Sequence, residues 1–230
     1  MKEFINEIKS ELEKIAGNVK GCEDFLRNLY DVEYPWQILD IIEKTLHKIE
    51  GNITEYEDKK RIWLDNQVYI GKGTIIKPNT IIEGPVVIGE NCIIGPDTYI
   101  RPRTIIGNNC CIGHKTAVKN SIILSNTNAA HFNYIGDSII GKYCNFGAGS
   151  KSEDSKITVT SNLRLDEKNI KVRYKGKEYE TNRRKLGSII EDNVKIGSGV
   201  ILNPGTYIER DLWIYVKQQR IKTIRIDNKK

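Results

Sequence analysis

Residues 68–124 read VYIGKG TIIKPN TIIEGP VVIGEN CIIGPD TYIRPR TIIGNN CCIGHK TAVKNS IIL. An aliphatic residue returns at every sixth position, at Ile70, Ile76, Ile82, Ile88, Ile94, Ile100, Ile106, Ile112, Val118 and Leu124, and again at Ile190, Ile196, Leu202, Ile208 and Ile214. Six is neither the helical period nor that of a simple strand. A fixed short repeat means one structural unit restated, and a hexad with an aliphatic anchor forms one short face of a parallel β-helix. Two residues before the anchors stand Val68, Thr74, Thr80, Val86, Cys92, Thr98, Thr104, Cys110 and Thr116, small or β-branched residues that suit an inward pleated face. Glycine follows several anchors (Gly71, Gly89, Gly95, Gly107, Gly113, Gly197), and is read as supplying the positive φ of a sharp corner. If three hexads close one coil, Ile70 lies under Ile88 under Ile106, and Ile82 under Ile100 under Val118.

Outward from this stretch, the first fifty residues switch to helical periodicity. Phe4, Ile5, Ile8, Leu12 and Ile15 form one stripe and Ile38, Ile41, Ile42, Leu46 and Ile49 another, separated by Gly17, Gly21 and Tyr34-Pro35-Trp36. The expected organisation is a helical arm and linker over 1–60, a β-helix over 61–216 with an inserted loop at 150–187, and a basic tail over 217–230. The arm is expected to cap an open end of the β-helix or to pair with a neighbouring subunit. The hexads are expected to break at Asn126–Tyr134, leaving His131 in an irregular corner, and again at Gly149–Gly187. The second excursion carries a hairpin around Gly176 and is expected to reach over a neighbouring subunit.

Composition narrows the class. The 230 residues are 39% hydrophobic and 29% charged, as in a globular protein. No apolar run reaches membrane-spanning length, and MKEFINEIKSELEK is too charged for a secretory signal, so a cytoplasmic location away from membranes is expected. The five cysteines lack zinc-ligand spacing and read as reduced, packed thiols, so no metal is predicted. The net charge of +6 is unevenly spread: residues 1–60 carry 9 basic and 14 acidic side chains, residues 150–187 carry 11 and 6, and residues 217–230 carry 6 and 1. The run Arg183-Arg184-Lys185 either meets phosphates or is a solvated face balancing the acidic arm. The basic tail has no interleaved aromatics, which argues against a nucleic-acid partner.

Arg101 and Lys119 are eighteen residues apart and each follows an anchor, so they are expected to stack one coil, about 4.8 Å, apart. Two cations that close repel, and a phosphate between them relieves the repulsion. The alternative is that both reach into solvent, with Glu83 pairing Arg101.

The run HFNYIGDSIIGKYCNFGAG from His131 to Gly149, preceded by Arg101-Pro102 and Lys119 and followed by NLRLDEK and RRKLG, resembles the acetyltransferase domain of the bifunctional GlmU family over roughly residues 62–216. The resemblance implies a mainly β fold, a left-handed parallel β-helix of triangular section, assembled as a homotrimer with sites between subunits. It implies transfer of acetyl from acetyl-CoA to the amine of glucosamine 1-phosphate. By position it implies His131 as general base, Arg101, Lys119 and Lys185 on the sugar phosphate, Tyr134 and Asn145 on the sugar, and Ala148 and Ser198 at the acetyl-CoA end. An imidazole titrates near neutrality and suits the removal of a proton from an attacking amine, and backbone amides of the Gly147-Ala148-Gly149 turn are expected to steady the oxyanion.

Three departures from the family pattern stand out. Ala117 occupies the place of a glutamate that supports the histidine, hexads stop near Ile214, and SKSEDSKITVTSNLR lengthens the active-site loop. A glycine-rich nucleotide-binding half is absent, so no pyrophosphorylase activity is expected, and a separate nucleotidyltransferase becomes a possible partner. Two alternatives stay open: a catalytically impaired module that binds a sugar nucleotide or serves assembly, and a transferase with another acceptor. His114 and His47 read as surface residues.

Overall fold

In the computed structural model each hexad forms a strand of two or three residues and a corner, and three strands close one coil. The structure describes residues 1–52, 62–65, 67–149, 151–152 and 168–215. Three seven-stranded parallel sheets form the sides of a left-handed β-helix. Face A runs from Ile62–Leu64 through Ala117–Lys119 and Tyr134–Gly136 to Ile201–Leu202, face B from Val68–Ile70 to Thr206–Ile208, and face C from Ile75–Ile76 to Trp213–Ile214. The expected stacking holds: Ile70, Ile88 and Ile106 are in register on face B, and Ile82, Ile100 and Val118 on face A. The anchors fill one apolar core. The small positions form polar ladders beside it: Thr74 Oγ1 donates to the Gly89 carbonyl (2.7 Å) and accepts from the Cys92 amide (2.9 Å), so a buried hydroxyl is satisfied on both sides. All five thiols are free.

The corners differ from expectation. Positive φ falls not on the glycines after the anchors but on the last residue of the hexad, as at Asn79 (62°), Asn91 (54°), Asp97 (56°) and Asn109 (55°), types that tolerate the left-handed region. The glycines answer to space instead. A Cβ on Gly71 would lie 2.5 Å from the carbonyl carbon of Gly89 in the next coil, so only glycine lets the coils stack at spacing.

The register also slips elsewhere than expected. Coils repeat every 18 residues up to Val118, but Ile105 pairs with Ile122 and Ile122 with Ile139, a spacing of 17. One residue is missing from the corner between faces A and B, at Lys119–Ser121 and again at Gly136–Ser138. Ile123 and Ala129 therefore face inward in place of Leu124 and Ala130. The stretch Asn126–Tyr134 is regular, and His131 sits in an ordinary corner where the Phe132 amide bonds the His114 carbonyl at 2.9 Å.

The arm comprises α1 (Lys2–Ala16), α2 (Glu23–Asn28) and α3 (Gln37–Thr45). The two stripes give α1 and α3, while α2 has six residues and no readable stripe. The arm lies along the outside of face B rather than over an end. Phe4, Ile8, Leu12, Ile38 and Ile42 share one buried cluster with the outward residues Val87, Ile105, Ile122, Ile139 and Ile189 and with the displaced Leu124. Face B strands are apolar on both sides for that reason. The inserted hairpin, Lys171–Tyr174 with Lys177–Glu180, turns through Lys175 and Gly176 and packs on this chain's own arm: Val172 joins the cluster, and Tyr179 meets Tyr34 at 5.6 Å. The linker residues 53–60, most of NLRLDEK and the tail 217–230 lie outside the described residues. Among the described residues no helix is long and apolar enough to cross a membrane.

Candidate active site

Two corners carry the candidate residues, at opposite edges of face A. At the corner between faces C and A, the Gly149 amide donates to the His131 carbonyl (3.1 Å) and the Gly199 amide to the Ala148 carbonyl (3.0 Å). His131, Ala148 and Ser198 therefore hold the same position in three successive coils, with His114 one coil below. All three are exposed. Gly147 must be glycine here, since a Cβ would stand 2.5 Å from the Ser198 amide nitrogen. Tyr134 lies to one side on the outer surface of face A, above Ala117 and Tyr99. Asn145 lies on the other side, exposed on face C between Asn128 and Lys195.

The chemistry at this corner is bare. Among the described residues no hydrogen bond reaches the His131 imidazole, and at the glutamate position Ala117 offers only a methyl group beneath Tyr134. The amides of Gly147 and Gly149 are already bonded, at 2.7 Å to Ile196 and 3.1 Å to His131, so the oxyanion reading narrows to the Ala148 amide. His114 is not simply a surface residue: its ring meets Phe132 edge-on at 5.1 Å, and its Nδ1 lies 3.9 Å from Asp97. His47 is exposed, as expected.

The corner between faces A and B gathers the cations. Arg101 follows Ile100 and stacks beneath Lys119, its amide bonded to Val118 at 2.8 Å. Its guanidinium lies 5.7 Å from the Tyr99 ring centre, its Nε is buried without a hydrogen bond, and among the described residues it has no carboxylate partner, Glu83 included. Burial first, then a hydrogen bond to Glu83, pushes the Tyr99 phenol up, while Arg101 opposes them. Lys119 is not a free cation: its Nζ is 3.1 Å from Asp137 Oδ2, a carboxylate buried to 2% exposure. Above them the Gly187 amide bonds the Asp137 carbonyl at 2.8 Å, which brings the exposed Lys185 to this corner.

The run Arg183-Arg184-Lys185 divides. Arg184 and Lys185 are exposed, whereas Arg183 is buried and its guanidinium meets Asp40 and, at 2.8 Å, Glu43, both on α3. Three residues of this corner were not singled out in the sequence, Arg103, Asn120 and Asp137, and Arg183 was read only as part of its basic run, where burial against α3 was not foreseen. Arg103 had a signal, as a second cation on the same corner as Arg101. Among the described residues no group of three or more histidine, cysteine or acidic side chains converges as a metal site.

The comparisons agree with this architecture. A model of the GMPPB C-terminal domain matches residues 82–175. The bifunctional protein GlmU of Methanococcus maripaludis is 38% identical over 207 residues, 88% of this chain and 47% of that protein. A bifunctional sugar-1-phosphate nucleotidylyltransferase/acetyltransferase of Sulfurisphaera tokodaii is 39% identical over 187 residues, 80% of this chain and 44% of that one. The chain thus spans about half the length of the curated relatives it matches. A solved UDP-N-acetylglucosamine acyltransferase from Arabidopsis, 13% identical, covers 66% of this chain and 55% of that one at a TM-score of 0.32, an overlap too small to carry an argument. With about 40% identity over most of its length and the hexad coil throughout, the chain is a homologue of the acetyltransferase half of the GlmU proteins.

Proposed function

We propose that the protein is an acetyl-CoA-dependent N-acetyltransferase for an amino sugar phosphate such as glucosamine 1-phosphate. The observation that carries this reading is the alignment of His131, Ala148 and Ser198 on one corner in successive coils. The acceptor attacks as its neutral amine: the His131 imidazole takes a proton from the attacking nitrogen as that nitrogen forms a bond to the thioester carbonyl carbon, and the carbon–sulfur bond breaks. The departing thiolate leaves with the proton that His131 held. Ala148 and Ser198 bound the path of the pantetheine arm, and Tyr134 and Asn145 border the sugar.

Arg101, Lys119 and Lys185 take the phosphate. They sit at the opposite edge of face A from His131, with strand Tyr134–Gly136 between the two corners. The two corners are read as coming together across copies of the chain in a homotrimer whose sites lie between subunits. The outward ladders Ile75–Ile93–Cys111 on face C and Ile81–Tyr99–Ala117 on face A flank the His131 corner, and Ile75, Ile81 and Ile93 are 41–51% exposed, a surface suited to such packing.

A second reading, a sugar-nucleotide-binding or assembly module without turnover, is favoured by Ala117 and the unsupported imidazole. Thiol release from acetyl-CoA with glucosamine 1-phosphate, beside His131→Ala, separates the two. Release that vanishes in the variant supports the transferase; binding without release supports the module. A monomer mass in solution would remove the shared site.

A further inference from the structure

The helical arm reaches the cation corner through two half-exposed carboxylates that meet buried polar side chains of the prism and its inserted loop. On α3, Asp40 and Glu43 are one turn apart and both grip the Arg183 guanidinium, whose side chain is 8% exposed. The same guanidinium donates through Nε to the Lys185 carbonyl at 3.1 Å. Glu43 Oε1 also accepts from Asn120 Nδ2 at 3.1 Å, and the other hydrogen of that amide is directed to Asp137 Oδ1 at 2.5 Å. Asp137 Oδ2 in turn holds Lys119 Nζ at 3.1 Å. Asn120 is 1% exposed and its Oδ1 has no hydrogen bond, so a buried amide is held here for its two donors. Two carboxylates must each receive one of them, which fixes the orientation of the amide.

These bonds place both ends of the cation set under the control of α3. Lys185 is reached through Arg183, and Lys119 through Asn120 and Asp137. A cleft of about 350 Å³, lined by Asp40, Glu43, Asn182, Arg183, Arg184 and Lys185, opens beside the chain of contacts. Arg183 is held at every polar position: its amide donates to Thr181 Oγ1 at 3.2 Å, and its carbonyl accepts from the Ile170 amide at 2.8 Å.

We propose that Asp40 and Glu43 are positioning residues for the acceptor's phosphate, acting through Arg183 on Lys185 and through Asn120 and Asp137 on Lys119. The inference rests on the reading of this corner as the phosphate site. It makes the arm part of the acceptor site without touching the acceptor.

The test is glucosamine 1-phosphate binding by calorimetry and steady-state kinetics for Glu43→Gln and for Asp40→Asn with Glu43→Gln. Glu7→Gln serves as control, because Glu7 ties the arm to Arg210 (3.1 Å) away from this corner. The expected result is a rise in the Kd and KM of the acceptor on the order of tenfold, the scale seen when an outer hydrogen bond that orients a ligating group is removed. The kcat and the KM for acetyl-CoA stay unchanged, and Glu7→Gln moves none of them even where it lowers Tm. Should the double variant fail to fold, Glu43→Gln alone keeps Asp40 on Arg183 and remains readable. Unchanged acceptor binding in a folded variant overturns the inference and leaves the phosphate reading standing. A fall in apparent kcat with both KM values unchanged also overturns it, since that reports only folded fraction. Wild-type protein that binds no sugar phosphate overturns both.

Discussion

Ser198 stands on the same corner as His131, two coils higher, with Ala148 between them. At about 4.8 Å per coil the two are about 10 Å apart along the prism axis, the track proposed for an extended thioester arm. Lengthening the Ala148 side chain obstructs that track without disturbing the core, because Ala148 is exposed. Ala148→Leu is expected to raise the KM for acetyl-CoA with little effect on Tm or on glucosamine 1-phosphate binding. His131→Ala is expected to lower kcat by about 100 to 10,000-fold, the usual worth of a general base. Thiol release over a grid of both substrates checks the pair.

Removing Lys119 separates its proposed phosphate contact from its structural ion pair with Asp137. Asp137 is almost fully buried, so Lys119→Met withdraws its ammonium and leaves a buried carboxylate undercompensated. The expected cost is about 3–5 kcal/mol in urea unfolding. Lys119→Met with Asp137→Asn is expected to recover much of that stability while acceptor affinity stays low. Additive losses in the double-mutant cycle would show that the two side chains do not interact.

Arm docking depends on the outward side of face B. Ile105→Ala and Leu124→Ala each remove a fully buried side chain from the shared cluster, and each is expected to cost about 2–5 kcal/mol. The Leu124 result is the sharper one. If the arm is deleted, Leu124→Ala is expected to become nearly neutral, whereas Ile123→Ala, which faces the prism interior, keeps its cost.

Two thiols make stability depend on alkaline pH. Burial is the first cause that pushes Cys22 and Cys144 up to about 12 from 9.0. The unfolded chain loses these protons first, so their contribution is complete below about pH 9 and is lost as the pH rises toward 12. The slope is about 1.4 kcal/mol per pH unit for each thiol. Urea midpoints measured from pH 8 to 11 are expected to fall less steeply in Cys22→Ala and Cys144→Ala than in the parent, and parallel curves would remove the thiols from the account.

What could be read from the residues alone has a physical boundary. The β-helix was legible because a period of six with an aliphatic anchor admits few structures, whereas the three-sided coil, and with it the stacking of Ile70, Ile88 and Ile106, came from the family resemblance. The slip at Lys119–Ser121 was not legible, because Ile122, Ile123 and Leu124 are all aliphatic and either register offers the core an anchor. Corner length decides between them, and it leaves no mark in hydropathy. The docking side of the arm was hidden for a related reason: Ile75, Ile81 and Ile93 are apolar in the middle of their hexads just as Val87 and Ile105 are, yet among the described residues the arm covers face B. His131 and Ala148 became candidates through a long matched motif and Ser198 through its position in the family pattern, whereas Arg183 looked like its neighbours Arg184 and Lys185. Its burial is set by α3, more than 130 residues earlier in the chain.

A solenoid in which each coil touches only its neighbours melts like a zipper, coil by coil from its ends. The outward ladder on face B runs Tyr69, Val87, Ile105, Ile122, Ile139, Ile189, Tyr207, one residue from each of the seven coils, and all seven meet the same helical cluster. The arm is thus a splint laid along the whole stack. Opening any one coil disturbs a surface shared by all of them, so the prism is expected to lose its structure in a single cooperative step, with amides near both ends exchanging at rates set by global unfolding rather than by local fraying.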